Sequence, residues 1–505
     1  MTRNMKTINT ILKSVGLSVL LTFTSCSGFL DVTPHDATDD KNSLETISDY
    51  DMLMKDPYAS MRDVMGSYYI LLPDIMSDNL TLCYAGRLSF NEFFNFNFNS
   101  TTFGVSAMWS GAYNGIMATN KIINTLEGET NKFTGTADEA QAKNILAEAL
   151  AMRAFLHFQL VRLYGKDYKA ASETDLGVPY KTLADVTLPS RNTVKDVYDN
   201  HIVKDLEKAK TLMTAEYNQK DNTRLNRKSL CAIMAKVYLT MGKYQEAANN
   251  AAAAIAGDGS DIATIEQFQK LWTSPMTNVS EILLRYPVLS TDDVIPGNNW
   301  GQGESKTSYK AEYVASAAFV DLVKNTDVRI TTLTGVSSGG KNYVAVWKWN
   351  GRPGEAAGNV DITAIRTSEM YLTLAEALTE LNDDPNALKT LNYLRSNRYV
   401  NFTSPNETGT ALKNAIALER RLELSFEGDR FFELKRKGLD IVRDERGDEA
   451  NGGGVAPSLL HLSANSPYFL LPIPQSEMDA NKNMEQNKYC LLYTSPSPRD
   501  TERSR

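Results

Sequence analysis

Three sets of residues in this chain have the types and spacing that chemistry requires. Gly335-Val336-Ser337-Ser338-Gly339 fits the G-x-S-x-G pattern of a serine nucleophile. That chemistry needs a strand before the serine and a helix after it, so that a strained turn lifts the hydroxyl. The residues that follow, GKNYVAVWKW, alternate with period two and read as a strand, so the glycines are expected to form a hairpin turn. Glu423 and Glu427, one helical turn apart, are the second set. Two carboxyls about 5 to 10 Å apart across a cleft could hydrolyse a glycoside. Arg420, Arg421, Arg430 and Lys435 stand beside them, however, and flanking cations depress a carboxyl pKa where a general acid needs it raised. A scaffold role is favoured for this pair.

The third set binds rather than reacts. Asn79 to Phe103 contains SFNEFFNFNFNSTTF, and Asp292 to Asn350 holds Trp300, Tyr309, Tyr343, Trp347 and Trp349 among glycines and amides. An exposed aromatic ring offers a flat surface to the C–H face of a sugar, while Asn, Gln and Arg bond its hydroxyls. Trp300 has Asn298, Asn299 and Gln302 beside it. For each of these tryptophans core packing and ligand binding both remain open. Trp109 sits on an apolar helix stripe and reads as packing.

Nucleotide cofactors are not expected, because no G-x-x-x-x-G-K-[ST] loop and no G-x-G-x-x-G turn after a strand occurs. Cys83, Cys231 and Cys490 are scattered, as are His35, His157, His201 and His461, which argues for neither a disulfide framework nor a zinc site. Cys231, within LCAIMAKVYL, reads as a small core residue.

These residues need a frame to hold them. The chain has 505 residues, 42% hydrophobic and 23% charged, which is globular composition; a net charge of −8 without a long basic run argues against nucleic acid as a partner. Helical periodicity dominates. Asn144 to Tyr164 and Val194 to Met213 read as helices, with Gly165 closing the first. Arg227 to Gly257 reads as helix, Gly-x-Tyr turn, helix, with Gly242 permitting the turn and Tyr244 and Ala247 wedged between the helices. That unit resembles a tetratricopeptide pair. Ser368 to Arg398 reads as a second pair, with Asp384 capping and Pro385 in the first turn of its second helix. Ala107 to Leu126 places Trp109, Tyr113, Ile116, Asn120 and Ile123 on one face. Helix pairs this far apart point to repeats interrupted by long insertions.

The N-terminus is expected to be an export signal over residues 1–25: MTRNMK is positive, Ile8 to Phe23 is mostly apolar, and Thr24 and Ser25 precede Cys26. Interrupted by Lys13, it is a poor membrane span. Phe23-Thr24-Ser25-Cys26 resembles a lipoprotein cleavage box, which makes Cys26 the expected site of lipidation. Acyl chains would tether the protein to a membrane, with residues 26–43 as a polar leader.

Several motifs together resemble the SusD/RagB family of outer-membrane lipoproteins of Bacteroidetes. Ser25-Cys26 and Phe29-Leu30-Asp31 are similar to the family start. Trp109, Tyr113, Ile116 and Asn120 match W-x3-Y-x2-I-x3-N, and Arg153-Ala154-Phe155 through Tyr164-Gly165 resembles the next conserved segment. Ile365-Arg366, Glu369, Tyr371-Leu372 and Ala375-Glu376-Ala377, then Leu391-Asn392 and Arg395, resemble another. Glu419 to Arg436, ERRLELSFEGDRFFELKR, is the strongest match, Glu433 replacing the usual Asp. Leu471-Pro472-Ile473-Pro474 with Glu477, Asn481 and Gln486-Asn487 resembles the family terminus.

The resemblance implies a mainly α fold: a tetratricopeptide-like helix-pair scaffold with long irregular insertions and a few short strands, over residues 44–489. Its N-terminal part would run to about 225 and its C-terminal part from about 226. It implies a surface-exposed, lipid-anchored protein of the outer membrane that captures oligosaccharides or polysaccharides and passes them to a SusC-like TonB-dependent transporter barrel, without catalysis or cofactor. An oligopeptide-binding RagB-like protein is the alternative, and a surface glycoside hydrolase a remote one. The ligand site would lie on the loops Asn79–Phe103 and Asp292–Asn350, with Tyr84, Trp300, Tyr343 and Trp347 stacking and Arg87 and Asn298 making polar contacts. The tail 490–505, CLLYTSPSPRDTERSR, has no family counterpart and resembles translated adapter sequence, so Cys490 is given no role.

Overall fold

The computed structural model describes residues 44–487 apart from 129–130, 220, 258–261, 269, 274–280, 293, 304 and 353. The expected signal, Cys26, the leader and the tail lie outside the described residues. Residues 44–50 hold the start of the helix Ile47–Leu53, where the Asp49 carboxylate accepts the Glu45 and Thr46 N–H groups.

From residue 51 onward the fold is mainly helical with short strands, as the family resemblance implies. Its central element is the helix Glu139–Tyr164, nearly all of whose residues are buried. A helix enclosed on every side must neutralise any polar residue it carries. Arg153 does so through a two-pronged pairing with Asp205, at 2.7 and 2.8 Å. Glu148 is met by Arg224 at 2.6 Å through both Nε and Nη2. His157 accepts the Lys181 N–H at Nε2, which leaves Nδ1–H to donate to the Arg153 carbonyl. Its ring stacks on Tyr180 at 3.8 Å, and Tyr180 stacks on His201 at 4.6 Å, so two histidines distant in sequence sandwich one tyrosine. Gly165 ends the helix with extended backbone rather than the left-handed turn common at such glycines.

The helix Phe103–Glu127 packs on this central helix, with Trp109 buried against Tyr113 and Tyr164 at 4.9 Å each. The stretch 194–212 is helical as expected but contains a π-helical turn at Val197–Ile202. The tetratricopeptide-like pair is present as Arg227–Met241 and Tyr244–Ile255, with Gly242 at φ +74° supplying the left-handed turn. Asn226 and Ser229 close a reciprocal cap at the start of the first helix. The second pair is Thr367–Glu380 and Asp384–Ser396. Asp383 caps it, accepting the Asn386 N–H, and Asp384 is already inside the helix. Tyr244–Ile255 packs directly on Thr367–Glu380, so the pairs stack as neighbours although an insertion of more than a hundred residues separates them. Leu372, Ala375, Leu391, Leu394, Leu412 and Ile416 form one core there.

The charges of Glu419–Arg436 are scaffold. Arg366 and Arg398, both buried, each bond Glu281 and Glu423, and Arg366 also reaches Glu427, which Lys348 meets at 2.7 Å. Burial alone would raise the Glu423 carboxyl, but Arg398 and Arg366 overcome it and hold the group well below the usual carboxylate range. Gly428 breaks the chain between the helices Gly409–Glu423 and Arg430–Lys437 at φ +78°. A Cβ there would lie 2.7 Å from the Tyr69 carbonyl, which only glycine avoids.

The insertions build a four-stranded antiparallel sheet in the order Leu80–Leu82, Tyr313–Ala315, Lys341–Val346, Leu333–Ser338. Gly339 and Gly340, both at positive φ, make the two-residue turn between the last pair. The G-x-S-x-G stretch is therefore a hairpin, and Ser337 is an exposed residue of the strand Leu333–Ser338 rather than on a nucleophile elbow.

Candidate functional site

The sheet fixes where the loops emerge. Residues 83–102 leave the end of Leu80–Leu82, and 296–312 lead into Tyr313–Ala315, so the two candidate loops start from adjacent strands. Glu312, almost wholly buried, joins them. It accepts the Arg87 Nε–H at 2.6 Å and the Arg87 backbone N–H at 3.0 and 3.1 Å. Arg87 Nη2 donates to the Asn298 carbonyl at 2.8 Å. Arg87 and Asn298 are thus brought together, and Arg87 Nη1 and the Asn298 side-chain amide have no partner among the described residues.

The aromatic candidates fare differently. Trp300 is 2% exposed, stacked on Trp349 at 6.1 Å and edge-on to Phe426 at 6.2 Å; it is core, and the expectation of an exposed platform is corrected. Trp300 follows directly on the turn Pro296–Asn299, where Gly297 is pressed so close to the Trp349 carbonyl that a Cβ would sit 2.0 Å away. Trp349 is pinned by its Nε1–H to the Phe426 carbonyl at 2.8 Å. Tyr343 is also 2% exposed, packed with Cys83, Tyr309 and Val336 on the covered face of the sheet, so it offers no ring to a ligand. Trp347 lies just past the strand end, half-buried against Tyr309 at 5.3 Å, and keeps part of its surface open. Tyr84 is exposed, its N–H held by Asp448 at 3.0 Å.

A different set of rings faces outward. Tyr68 contacts Phe90 at 6.1 Å and Phe103 at 6.2 Å, both edge to face, and Phe103 is 70% exposed. Tyr68 comes from the π-helical turn Met65–Tyr69, a kind of element often found at functional sites. Leu88 and Phe90 adopt left-handed backbone at φ 60° and 59°, a conformation that costs about 1–3 kcal/mol each for such residues and persists only where the surroundings enforce it. Here the Glu312 carboxylate grips the Arg87 N–H from within. Partial burial pushes the Tyr68 hydroxyl up, so it stays protonated as a donor. The Asn299 side chain donates to the Ser67 carbonyl at 3.3 Å, tying the 296–299 turn to the segment that carries Tyr68. The rings and the Arg87–Asn298 group therefore adjoin.

The sequence reading missed Tyr68, Phe90 and Phe103 as a set. Phe93, Phe94, Phe96 and Phe98 are buried whereas Phe90 and Phe103 are not, and alternation of Phe with Asn carries no signal for that split. The arrangement can stack apolar faces and bond hydroxyls. The carboxyls once considered for catalysis, Glu423 and Glu427, are locked in ion pairs away from solvent.

Two family models match the chain. One, described as the SusD family, covers residues 296–489; the other, described as starch-binding associating with outer membrane, covers 28–239. SusD-like protein P2 of Formosa agariphila is 26% identical over 526 residues, spanning 93% of this chain and 97% of that one. Starch-binding protein SusD of Bacteroides thetaiotaomicron is 28% identical over 225 residues, 40% of this chain and 38% of that one. The crystal structure of a SusD superfamily protein from Bacteroides thetaiotaomicron superposes with a TM-score of 0.75 at 26% identity, covering 88% of this chain and all of that one. The fold, the buried charge lattice on the strongest sequence motif and these matches lead to one conclusion: this chain belongs to the SusD/RagB family of binding proteins, which are not enzymes.

Proposed function

We propose that this protein captures oligosaccharides or polysaccharides at the outer face of the outer membrane, held there by lipid on Cys26, and passes them to a SusC-like TonB-dependent transporter barrel. The observation that carries the reading is the Tyr68–Phe90–Phe103 cluster, exposed at Phe103 and half-buried at Tyr68 and Phe90, beside the Arg87 Nη1 and Asn298 amide, which have no partner among the described residues. Rings and fork-like donors on one face match a pyranose, apolar on its C–H face and polar at its rim. A family model described as starch-binding and a relative named a starch-binding protein support the ligand class. Of the residues first favoured, Arg87, Asn298, Tyr84 and Trp347 keep the access that binding needs.

Titration of the purified protein with neutral glycans tests the reading. Phe90→Ala and Phe103→Ala should weaken binding while leaving the melting temperature nearly unchanged. Unchanged affinity in both variants would remove this cluster from the site. Partnership with the barrel is tested by copurification from detergent-solubilised outer membranes, where loss of the barrel on Cys26→Ala with the protein still present would limit the contact to the anchored form.

A further inference from the structure

Where the central helix Glu139–Tyr164 ends, it meets the helices Arg227–Met241, Thr367–Glu380 and Arg430–Lys437 around a cavity of about 30 Å³. One water needs roughly 10–15 Å³, so this space admits a small ion or a water or two and excludes a sugar or a peptide.

Six cationic and four acidic side chains line the cavity. Most of them are paired. Lys236 meets Glu369 at 2.5 Å, Arg420 meets Asp429 at 3.0 Å, Arg436 meets Glu433 at 2.5 Å, and Lys166 turns to Asp175 at 2.7 Å. Arg162, Lys435 and Asp167 are left over, two cations to one acid, so the lining is one negative charge short.

Arg162 is the cation without a counter-ion. Buried guanidinium groups are normally met by a carboxylate, as Arg153, Arg366 and Arg398 are in this protein. Arg162 instead stands over the Phe158 ring at 4.5 Å and the Phe432 ring at 4.0 Å, which attract its charge but offer no acceptor atom. Its Nη2 donates to Gln159 Oε1, its enclosed Nε meets no acceptor, and its Nη1 has no partner among the described residues. Burial lowers its pKa, and the carboxylates that oppose the shift, Asp429 and Glu369, are those already paired with other cations.

Lys435 does not fill the gap. Its Nζ donates to the Arg162 and Gly165 carbonyls at 2.5 and 2.8 Å, closing the end of the central helix. Burial pushes its pKa down to about 7 against the pull of Asp167, and the neighbouring Arg162 charge adds to the fall. However Lys435 and Asp167 share their proton, Arg162 keeps a charge that nothing in the lining balances.

We infer that this cavity binds a small monovalent anion of halide size, such as chloride, beside the Arg162 guanidinium. The ion supplies the missing negative charge and an acceptor for the unpaired N–H groups. It thereby ties the end of the central helix to both tetratricopeptide-like pairs. The inference is independent of the glycan reading.

Anomalous diffraction from crystals of the protein soaked in sodium bromide tests it, with a bromide peak expected within hydrogen-bond distance of the Arg162 guanidinium. Melts at equal ionic strength in sodium chloride and sodium gluconate read the same site in solution. Chloride should raise the melting temperature by about 1–3 °C over gluconate, which is too large for the cavity; that is the mass-action gain for an ion at roughly ten times its dissociation constant. Arg162→Gln should abolish the difference. Bromide found only at surface cations would overturn the inference, as would equal melting temperatures in the two salts or a chloride effect that survives Arg162→Gln. The bromide experiment uses the unaltered protein, so it decides even if the variant fails to fold.

Discussion

Arg87 and Glu312 meet across 225 residues of sequence: the guanidinium Nε lies 2.6 Å from Glu312 Oε1, and both carboxylate oxygens also accept the Arg87 backbone N–H. One side chain thereby locks the loop after the first strand onto the loop before the second. Because Glu312 is buried and Arg87 half-exposed, removing Glu312 should unfasten the whole loop, whereas Arg87→Ala removes one surface donor. Glu312→Ala should cost about 1–3 kcal/mol, since the backbone N–H and the guanidinium of Arg87 lose their acceptor, and should weaken glycan binding. Arg87→Ala should weaken binding with little change in stability. Denaturant melts paired with titrations separate the two, and equal stability in both variants would contradict this division.

The tryptophans give a reciprocal expectation. Trp300→Ala should destabilise by about 3–5 kcal/mol, because it empties a site enclosed by Trp349 and Phe426. Phe103→Ala should change stability by less than about 0.5 kcal/mol, as surface substitutions do. Thermal melts of both variants check this, and a Trp300 variant as stable as the parent would contradict the assignment of that ring to the core.

Arg398 sits under the scaffold, with Nε on Glu423 and Nη2 on both Glu281 oxygens, each at 2.9 Å. Arg398→Leu leaves two buried carboxylates short of a cation, a situation that costs about 3–5 kcal/mol. Replacing Glu423 as well, by Gln, should recover part of that loss. A double variant no more stable than Arg398→Leu alone would deny the coupling.

His157 provides a pH dependence with a definite sign. Burial lowers its pKa to about 3, whereas an unfolded histidine titrates near 6.5. Below about pH 6.5 the unfolded chain binds a proton that the folded chain does not, so stability falls with decreasing pH by up to about 1.4 kcal/mol per unit until the folded value is reached. The contribution is complete above pH 6.5. Urea melts between pH 4.5 and 7.5 should show a shallower slope for His157→Gln than for the parent; identical slopes would sink the assignment.

Much of the frame is legible from local pattern. The Gly242 turn, the stripe holding Trp109 and the hairpin glycines are each decided by a few adjacent residues, so periodicity and turn chemistry find them. The density of Glu419–Arg436 reads correctly as scaffold, but Glu423 and Glu427 are neutralised by Arg366, Arg398 and Lys348 from distant segments rather than by the flanking Arg420, Arg421, Arg430 and Lys435. The site is less legible because exposure is decided at a distance. Trp300 sits among amides and is still buried, packed on Trp349 and Phe426, which lie far along the chain. Tyr68 lies in a run that gives no hint of a π-helical turn, and its partner Phe90 is presented by left-handed backbone next to the loop that Glu312 grips at Arg87. The capping aspartate was displaced by one residue for a smaller reason: Asp383 and Asp384 are adjacent, and only the geometry selects between them.

The central claim is that the Tyr68–Phe90–Phe103 face binds a glycan without altering it. The most direct measurement is calorimetric titration of the parent and Phe103→Ala proteins with malto-, xylo-, manno- and galacto-oligosaccharides, followed by chromatography of the recovered sugars. The account predicts that one class binds the parent, that Phe103→Ala weakens that binding about ten-fold, and that the sugars return intact. Silence towards every class, cleavage of the bound one, or undiminished affinity in Phe103→Ala would contradict it.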